Sequence, residues 1–367
     1  MKSILKPLFG IIVCSLFTVP TINAAIKTSA ASGNWNTAAT WTPSGVPAAG
    51  DNVIIASGHT VAVDASKSIT NVTVNTGGTL NWPTNSNKTL TVSGNIVING
   101  SMYINGDLSL AAGKSVSVGN NATLTWEPNT NNAGGATFFT NGTESISATS
   151  HLIIKKWYDY TVPLGSVISS NFGNLTLNSL GAGNSIVEWN QSNWFQTRTV
   201  EGTLTIDNGW ITLDKSGSIS NTTFNNVVLN SVNSYLYGHS GTHASSFSLS
   251  ANTFTNNGGT FIGLHNGNGN INVNITGNLT TTGNIKLINN SGVANVSSGN
   301  ATLTVGGTFS QSSGDTRFIY NVSTLNSGIY TATFNSLAFT GGIFMGQTGV
   351  NVTGGTCSLN VTNDLSI

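Results

Sequence analysis

The chain of 367 residues carries 12 Lys+Arg against 12 Asp+Glu, so only 7% of its positions are charged and its formal net charge is zero. Nucleic-acid binding by counterion release needs clustered Lys and Arg, and docking on an anionic lipid surface needs the same; scattered basic residues supply neither, so both partner classes are excluded. Forty-three glycines and scarce Glu, Lys, Arg and Gln leave no long amphipathic helix to write, while Val, Ile, Thr, Phe and Trp recur too often for disorder.

The N-terminus reads "MKSILKPLFGIIVCSLFTVPTINAA". Lys2 and Lys6 form a positive n-region, Leu8 to Val19 an apolar h-region, and Ile22-Asn23-Ala24 a small-residue cleavage site. Residues 1–24 therefore read as a secretory signal peptide, too short to span a bilayer. Cys14 lies deep inside the apolar run, which is the wrong place for a lipid anchor. No later stretch is long and apolar enough to cross a membrane, so the expected location is secreted or outer cell surface. After cleavage Cys357 is the only cysteine, so neither an intramolecular disulfide nor a Cys metal framework can form.

Residues 25–64 read as an N-terminal cap and first rungs. The stretch "GNWNTAATWTPSGVPAAGDNVIIASGHTVAVD" from Gly33 places Trp35 and Trp41 ahead of Pro47 and Gly50-Asp51, a turn. Val53, Ile55, Val61 and Val63 then alternate as inward positions. An open solenoid end invites edge-to-edge association and needs a lid, and two tryptophans suit a plug.

From Lys88 to Trp126 the apolar residues Leu90, Val92, Ile96, Ile98, Met102, Ile104, Leu108, Leu110, Val116, Val118, Leu124 and Trp126 share one parity. Period two means short strands with one face inward. Asn99-Gly100 is a hairpin signal, but a two-residue hairpin would pair Ile98 with Ser101 and Ile96 with Tyr103. The apolar partners, Met102 and Ile104, lie one residue out of step, so the turn reads as a corner that keeps the same parity inward. That favours a coil around one apolar column.

Over residues 65–367 imperfect repeats support the coil. "LTVSGNIVING" from Leu90 is echoed from Val273, Leu303 and Leu359; a second phrase recurs at Phe172, Phe224 and Phe334. The expected fold is all-β, a right-handed parallel β-helix (β-solenoid) with an N-terminal cap and roughly 20 residues per coil. Stacked asparagines at corners are expected to add hydrogen-bonded ladders. Tandem β-sandwiches are the alternative. The last residues, "VTNDLSI", stop mid-rung, so the sequence reads as truncated at its C-terminal end.

"WNTAATWTPSGVPAAGDNVIIASGHTVAVD" followed by "ITNVTVNTGGTLNW" resembles the start of the eight-glycine extracellular domain, through its Trp…Trp, Val-Pro, Gly-Asp-x-Val-x-Ile and Gly-His-x-Val pattern. The resemblance covers roughly Gly33 to Leu110, and the later repeats resemble the β-helix portions of large secreted Bacteroidetes-type surface proteins. It implies a right-handed parallel β-helix, extracellular placement and, in some members, glycan-related roles.

Candidate chemistry is sparse. Asp207 and Asp214 flank "NGWITL", with Glu201 before them, and paired carboxylates suit glycoside hydrolysis; Asp207 also sits at a probable corner, where Asp bonds the backbone. His239 and His243 are four apart in "YGHSGTH", but a Gly/Ser loop does not fix a common face for a metal. His59 fits a turn. No cofactor or metal is implied. Aromatics form the strongest candidate: Trp157, Tyr158 and Tyr160, then Trp189 and Trp194, then Trp210, Tyr235 and Tyr237. Stacked coils can align them as an outward strip for sugar rings; the competing reading puts them in the core or a long loop. The expected role is a secreted or cell-surface scaffold or adhesin that contacts glycan, with no catalytic site and an undetermined oligomeric state. A β-helix polysaccharide hydrolase or lyase, or a fragment of one, is the alternative.

Overall fold

The computed structural model of the chain describes residues 24–84, 86–127, 142–155, 171–178, 188–189, 199–214, 221–240, 245–266, 269–289, 299–320, 325–326, 328–348, 352–353 and 356–367. Residues 1–23, all but the last residue of the expected signal peptide 1–24, lie outside them. Apart from one 3-10 turn, Ala38–Thr40, the regular elements among the described residues are strands.

Short strands stack in parallel, each on its counterpart one coil away. Ile96–Ile98 lies between Asn71–Val74 and Lys114–Val118, and Ser101–Ile104 lies between Thr79–Asn81 and Thr123–Trp126. Asn99-Gly100 is thus a corner. A Cβ on Gly100 would come within 2.3 Å of the carbonyl oxygens of Asn75 and Gly78 in the preceding coil, so the two coils meet at this turn only because it lacks a side chain. A single inward column runs through Val61, Leu80, Met102, Leu124, Leu152, Leu175, Leu204, Val227, Phe254, Leu279, Phe309 and Leu337. These side chains are buried in one continuous core. The architecture is a parallel β-solenoid, and the face-to-face antiparallel layers of tandem sandwiches are absent among the described residues. One antiparallel pair occurs, Ile26–Ser29 against Trp41–Thr42, and it belongs to the cap.

Coil length is not constant. The step along the column is 19 residues from Val61 to Leu80 and 30 from Leu279 to Phe309, so roughly 20 residues per coil holds only near the N-terminus. The later coils fuse two faces into long strands such as Ala301–Gln311, which bends where its register shifts between Val305 and Thr308. The repeated phrases fall into register. Phe172, Phe224 and Phe334 share a column through Val200, Ala251, Ile275 and Val305, as do Val273, Leu303 and Leu359 through Ala332. Leu90 stands apart, paired with Lys67 and Leu108 on a separate face.

Asparagines ladder the corners. Asn71 Nδ2 donates to Asn52 Oδ1 at 2.6 Å, the Asn95 amide donates to Asn71 Oδ1 at 2.6 Å, and the Ser115 amide donates to Asn95 Oδ1 at 3.0 Å. Asn71 and Asn95 each answer a backbone donor that the corner removes from the sheet ladder, while Asn52 accepts from the next asparagine side chain.

Trp35 and Trp41 close the N-terminal end. Both are buried, their rings meet edge to face at 5.0 Å and 67°, and Trp41 Nε1 donates to the Trp35 carbonyl at 2.8 Å. Asp51 fixes the lid by accepting the Ala25 and Ala48 amides at 3.1 and 2.8 Å. At the other end Leu359 and Leu365, in inward columns, are 47% and 56% exposed, and Cys357 is a free thiol.

Candidate functional site

From Val200–Asp214 onward one face of the solenoid is built by Ser234–Ser240, Thr260–His265, Asn284–Asn289, Asp315–Tyr320 and Ile343–Thr348, stacked in that order. Ile211, Leu236, Phe261 and Ile285 occupy one register position and point into the core. Strand alternation therefore turns their neighbours outward. On one side lie Trp210, Tyr235, Thr260 and Asn284; on the other, Thr212, Tyr237, Ile262, Lys286 and Arg317.

The aromatic side chains meet on this outer face. Trp210 stacks on Tyr237 with centroids 5.1 Å apart and planes at 29°, and Tyr235 lies 6.1 Å from Trp210 at 44°. The His265 ring meets Tyr237 edge-on at 5.3 Å. Trp210 and Tyr235 are half-buried; Tyr237 and Ile262 are buried but stand outside the central core cluster. Burial lowers the His265 pKa. Two strands further on, Lys286 Nζ sits 3.7 Å from the centre of the Tyr320 ring, and Arg317 lies 5.2 Å from the same ring while its Nη2 pairs with Asp315 at 2.8 Å. Burial, then the neighbouring Arg317, push the Lys286 amine below its ordinary pKa, against a smaller opposing pull from Asp315.

Of the eight aromatic candidates, Trp210, Tyr235 and Tyr237 are thus brought together. Trp189 is in a two-residue strand whose backbone pairs beside Ile211. Trp157, Tyr158, Tyr160 and Trp194 lie outside the described residues. Lys286, Arg317 and Tyr320 were missed by sequence reasoning. Their signal is the pattern "NIKLIN" and "DTRFIY", which places a cation between two buried residues in successive coils, Ile285 and Leu287 in one and Thr316 and Phe318 in the next.

The carboxylates serve corners. Asp207 accepts from Asn178 Nδ2 at 3.5 Å and Asn230 Nδ2 at 3.0 Å, and Asn257 continues the ladder onto Asn230. Glu201 is exposed and accepts from Asn171 at 2.9 Å. Asp214 pairs by backbone with His239, which is fully buried, and His243 lies outside the described residues. His59 sits 3.0 Å from both the Ser29 hydroxyl and the Ser29 carbonyl, tying a turn to the cap. A second polar group, on another face, joins Glu127 to Lys155 at 3.2 Å, with Tyr103 bonded to the same carboxylate. Burial works against the Lys155 charge, but Glu127 and Tyr103 outweigh it and raise its pKa. No group of three His, Cys, Asp or Glu side chains able to hold a metal ion occurs among the described residues.

Fold and face together define a parallel β-solenoid with a tryptophan-plugged end and an aromatic cluster of half-buried Trp210 and Tyr235 and buried Tyr237. Residues 40–133 match the G8 domain, which is generally an extracellular module and here spans the first coils, downstream of Trp35. No curated protein and no solved structure matches the chain. No helix among the described residues is long and apolar enough to cross a membrane.

Proposed function

We propose that the protein is an exported, extracellular or cell-surface scaffold of adhesin type that binds polysaccharide along the strip of Trp210, Tyr235 and Tyr237. The observation that carries this reading is the half-buried pair Trp210 and Tyr235, 6.1 Å apart at one register position beside the central core cluster, with the buried Tyr237 ring stacked against Trp210. Flat, half-buried rings near the half-buried Asn284 suit a sugar, whose C–H face stacks while its hydroxyls meet polar groups. Ile211 and Leu236 fill the apolar column at this level, which leaves the half-buried Trp210 and Tyr235 off it.

Affinity electrophoresis of the exported protein against a panel of soluble polysaccharides tests the reading. At least one polymer retards the wild-type protein, and Trp210→Ala or Tyr235→Ala weakens that binding about fivefold each, within the range of one aromatic contact. Retardation unchanged in both variants, or absent throughout the panel, refutes it. N-terminal sequencing of the same exported material reads Ala25 as the first residue if the leader is cut as proposed.

A further inference from the structure

We infer that Lys286 and Arg317 form an anion subsite at one end of the aromatic strip, and that the polysaccharide it takes is acidic, presenting carboxylate or sulfate groups to these two cations. The inference rests on the strip being the binding face and adds the charge of its ligand.

Lys286 and Arg317 face each other directly on adjacent parallel strands. Like charges directly opposite across a strand pair are destabilising, and this chain has only 12 basic residues with which to make such a pair. Asp315 answers Arg317 at 2.8 Å. No carboxylate stands within ion-pair distance of Lys286 among the described residues. What holds its ammonium is the Tyr320 ring, 3.7 Å away. A cation–π contact orients a charge without neutralising it. Two cations against one carboxylate leave the cluster one positive charge in excess, on a half-buried face where that charge is poorly solvated. Burial first and the facing Arg317 second lower the Lys286 pKa, and Asp315 offsets only part of that, in keeping with the excess positive charge.

Position favours a polymer. Tyr237, Ile262, Lys286 and Arg317 share one outward register, so the cations stand two and three rungs from the stacked rings, roughly 10 to 15 Å along the solenoid axis. A chain of sugars stacked on Trp210 and Tyr235 and lying along the axis carries its acidic substituents over Lys286. Nucleic acid would need a longer basic track than two side chains provide.

The test compares polygalacturonate with its full methyl ester, which keeps the backbone and removes the charge, by affinity electrophoresis of the full chain. The wild-type protein binds the acid at least tenfold more tightly, the scale of one charge-assisted hydrogen bond, and added salt erodes the difference. Lys286→Met with Arg317→Gln removes the preference and leaves binding of the ester unchanged. Equal affinity of the wild-type protein for both polymers overturns the anion subsite and leaves the strip standing. Failure to bind either polymer while another polysaccharide of the panel binds overturns the anion subsite alone, and failure throughout the panel overturns both readings. Protection of Lys286 from amine-reactive labelling by inorganic sulfate, but not by polygalacturonate, assigns the cluster to a small oxyanion and overturns the polymer.

Discussion

His151 shows how a single side chain couples this fold to pH. Its Nε2 lies 2.7 Å from Thr176 Oγ1 in the next coil, and burial lowers its pKa, with the Asp207 charge opposing. The folded chain therefore takes up this proton less readily than the unfolded chain. The stability it permits is fully present above the ordinary value of 6.5 and is lost as pH falls from there through the lowered folded value. His265 works in the same direction, through burial. The urea midpoint is expected to be level above neutrality and to fall on acidification below it. His151→Gln removes part of that fall, and His151→Gln combined with His265→Gln removes more. A midpoint that rises on acidification, or a slope unchanged in both variants, contradicts the assignment.

At the scale of the element, the corner glycines decide how closely coils approach. Gly100 and Gly113 look alike in sequence, yet they fail for different reasons when given a side chain. At Gly100 a Cβ meets two carbonyl oxygens of the adjacent coil at 2.3 Å. Gly113 has open space around it but a φ of +73°. Gly100→Ala must separate two coils and is expected to cost about 3 kcal/mol, at the upper end of overpacking. Gly113→Ala meets only the left-handed backbone penalty, about 1 kcal/mol. Denaturant unfolding of the two variants gives the order, and an equal loss in both contradicts the close approach at Gly100. The same elements mark what could be read from the chain. Parity from Leu90 to Trp126 survives in space because every short strand has one face in the core, and the out-of-step Met102 already distinguished a corner from a hairpin. Coil length was not legible beyond the first turns. Extra residues leave the column at corners, and nothing in local periodicity counts them. The strip was half legible for that reason. Alternation around Ile211 and Leu236 turns Trp210, Tyr235 and Tyr237 outward, but only the register between coils brings Lys286 beside Arg317, across a gap that the sequence leaves unmeasured.

The whole molecule is a stack in which each rung is hydrogen-bonded to the rung before and the rung after, so stability is carried by nearest-neighbour interfaces. Such a stack loses strict all-or-none behaviour as it lengthens, and its ends decide where opening starts. The N-terminal end is held by Trp35 on Trp41, with Asp51 bonding the lid to the first coil. Trp35→Ala is expected to remove about 3–5 kcal/mol locally, the cost of emptying a fully buried aromatic site. In a one-dimensional stack that loss falls on the coils beside it. Hydrogen exchange of the variant should show faster amide exchange in Asn52–Ile55 and Lys67–Ile69, with Phe247–Asn256 close to wild type. Equal acceleration in all three strands would mean that the rod opens as one cooperative unit, and the lid would then protect the distant aromatic face as well as its own end. Acceleration confined to the first coils separates the two roles: the tryptophan plug guards the end, and the strip from Trp210 to Arg317 keeps its geometry through its own neighbours.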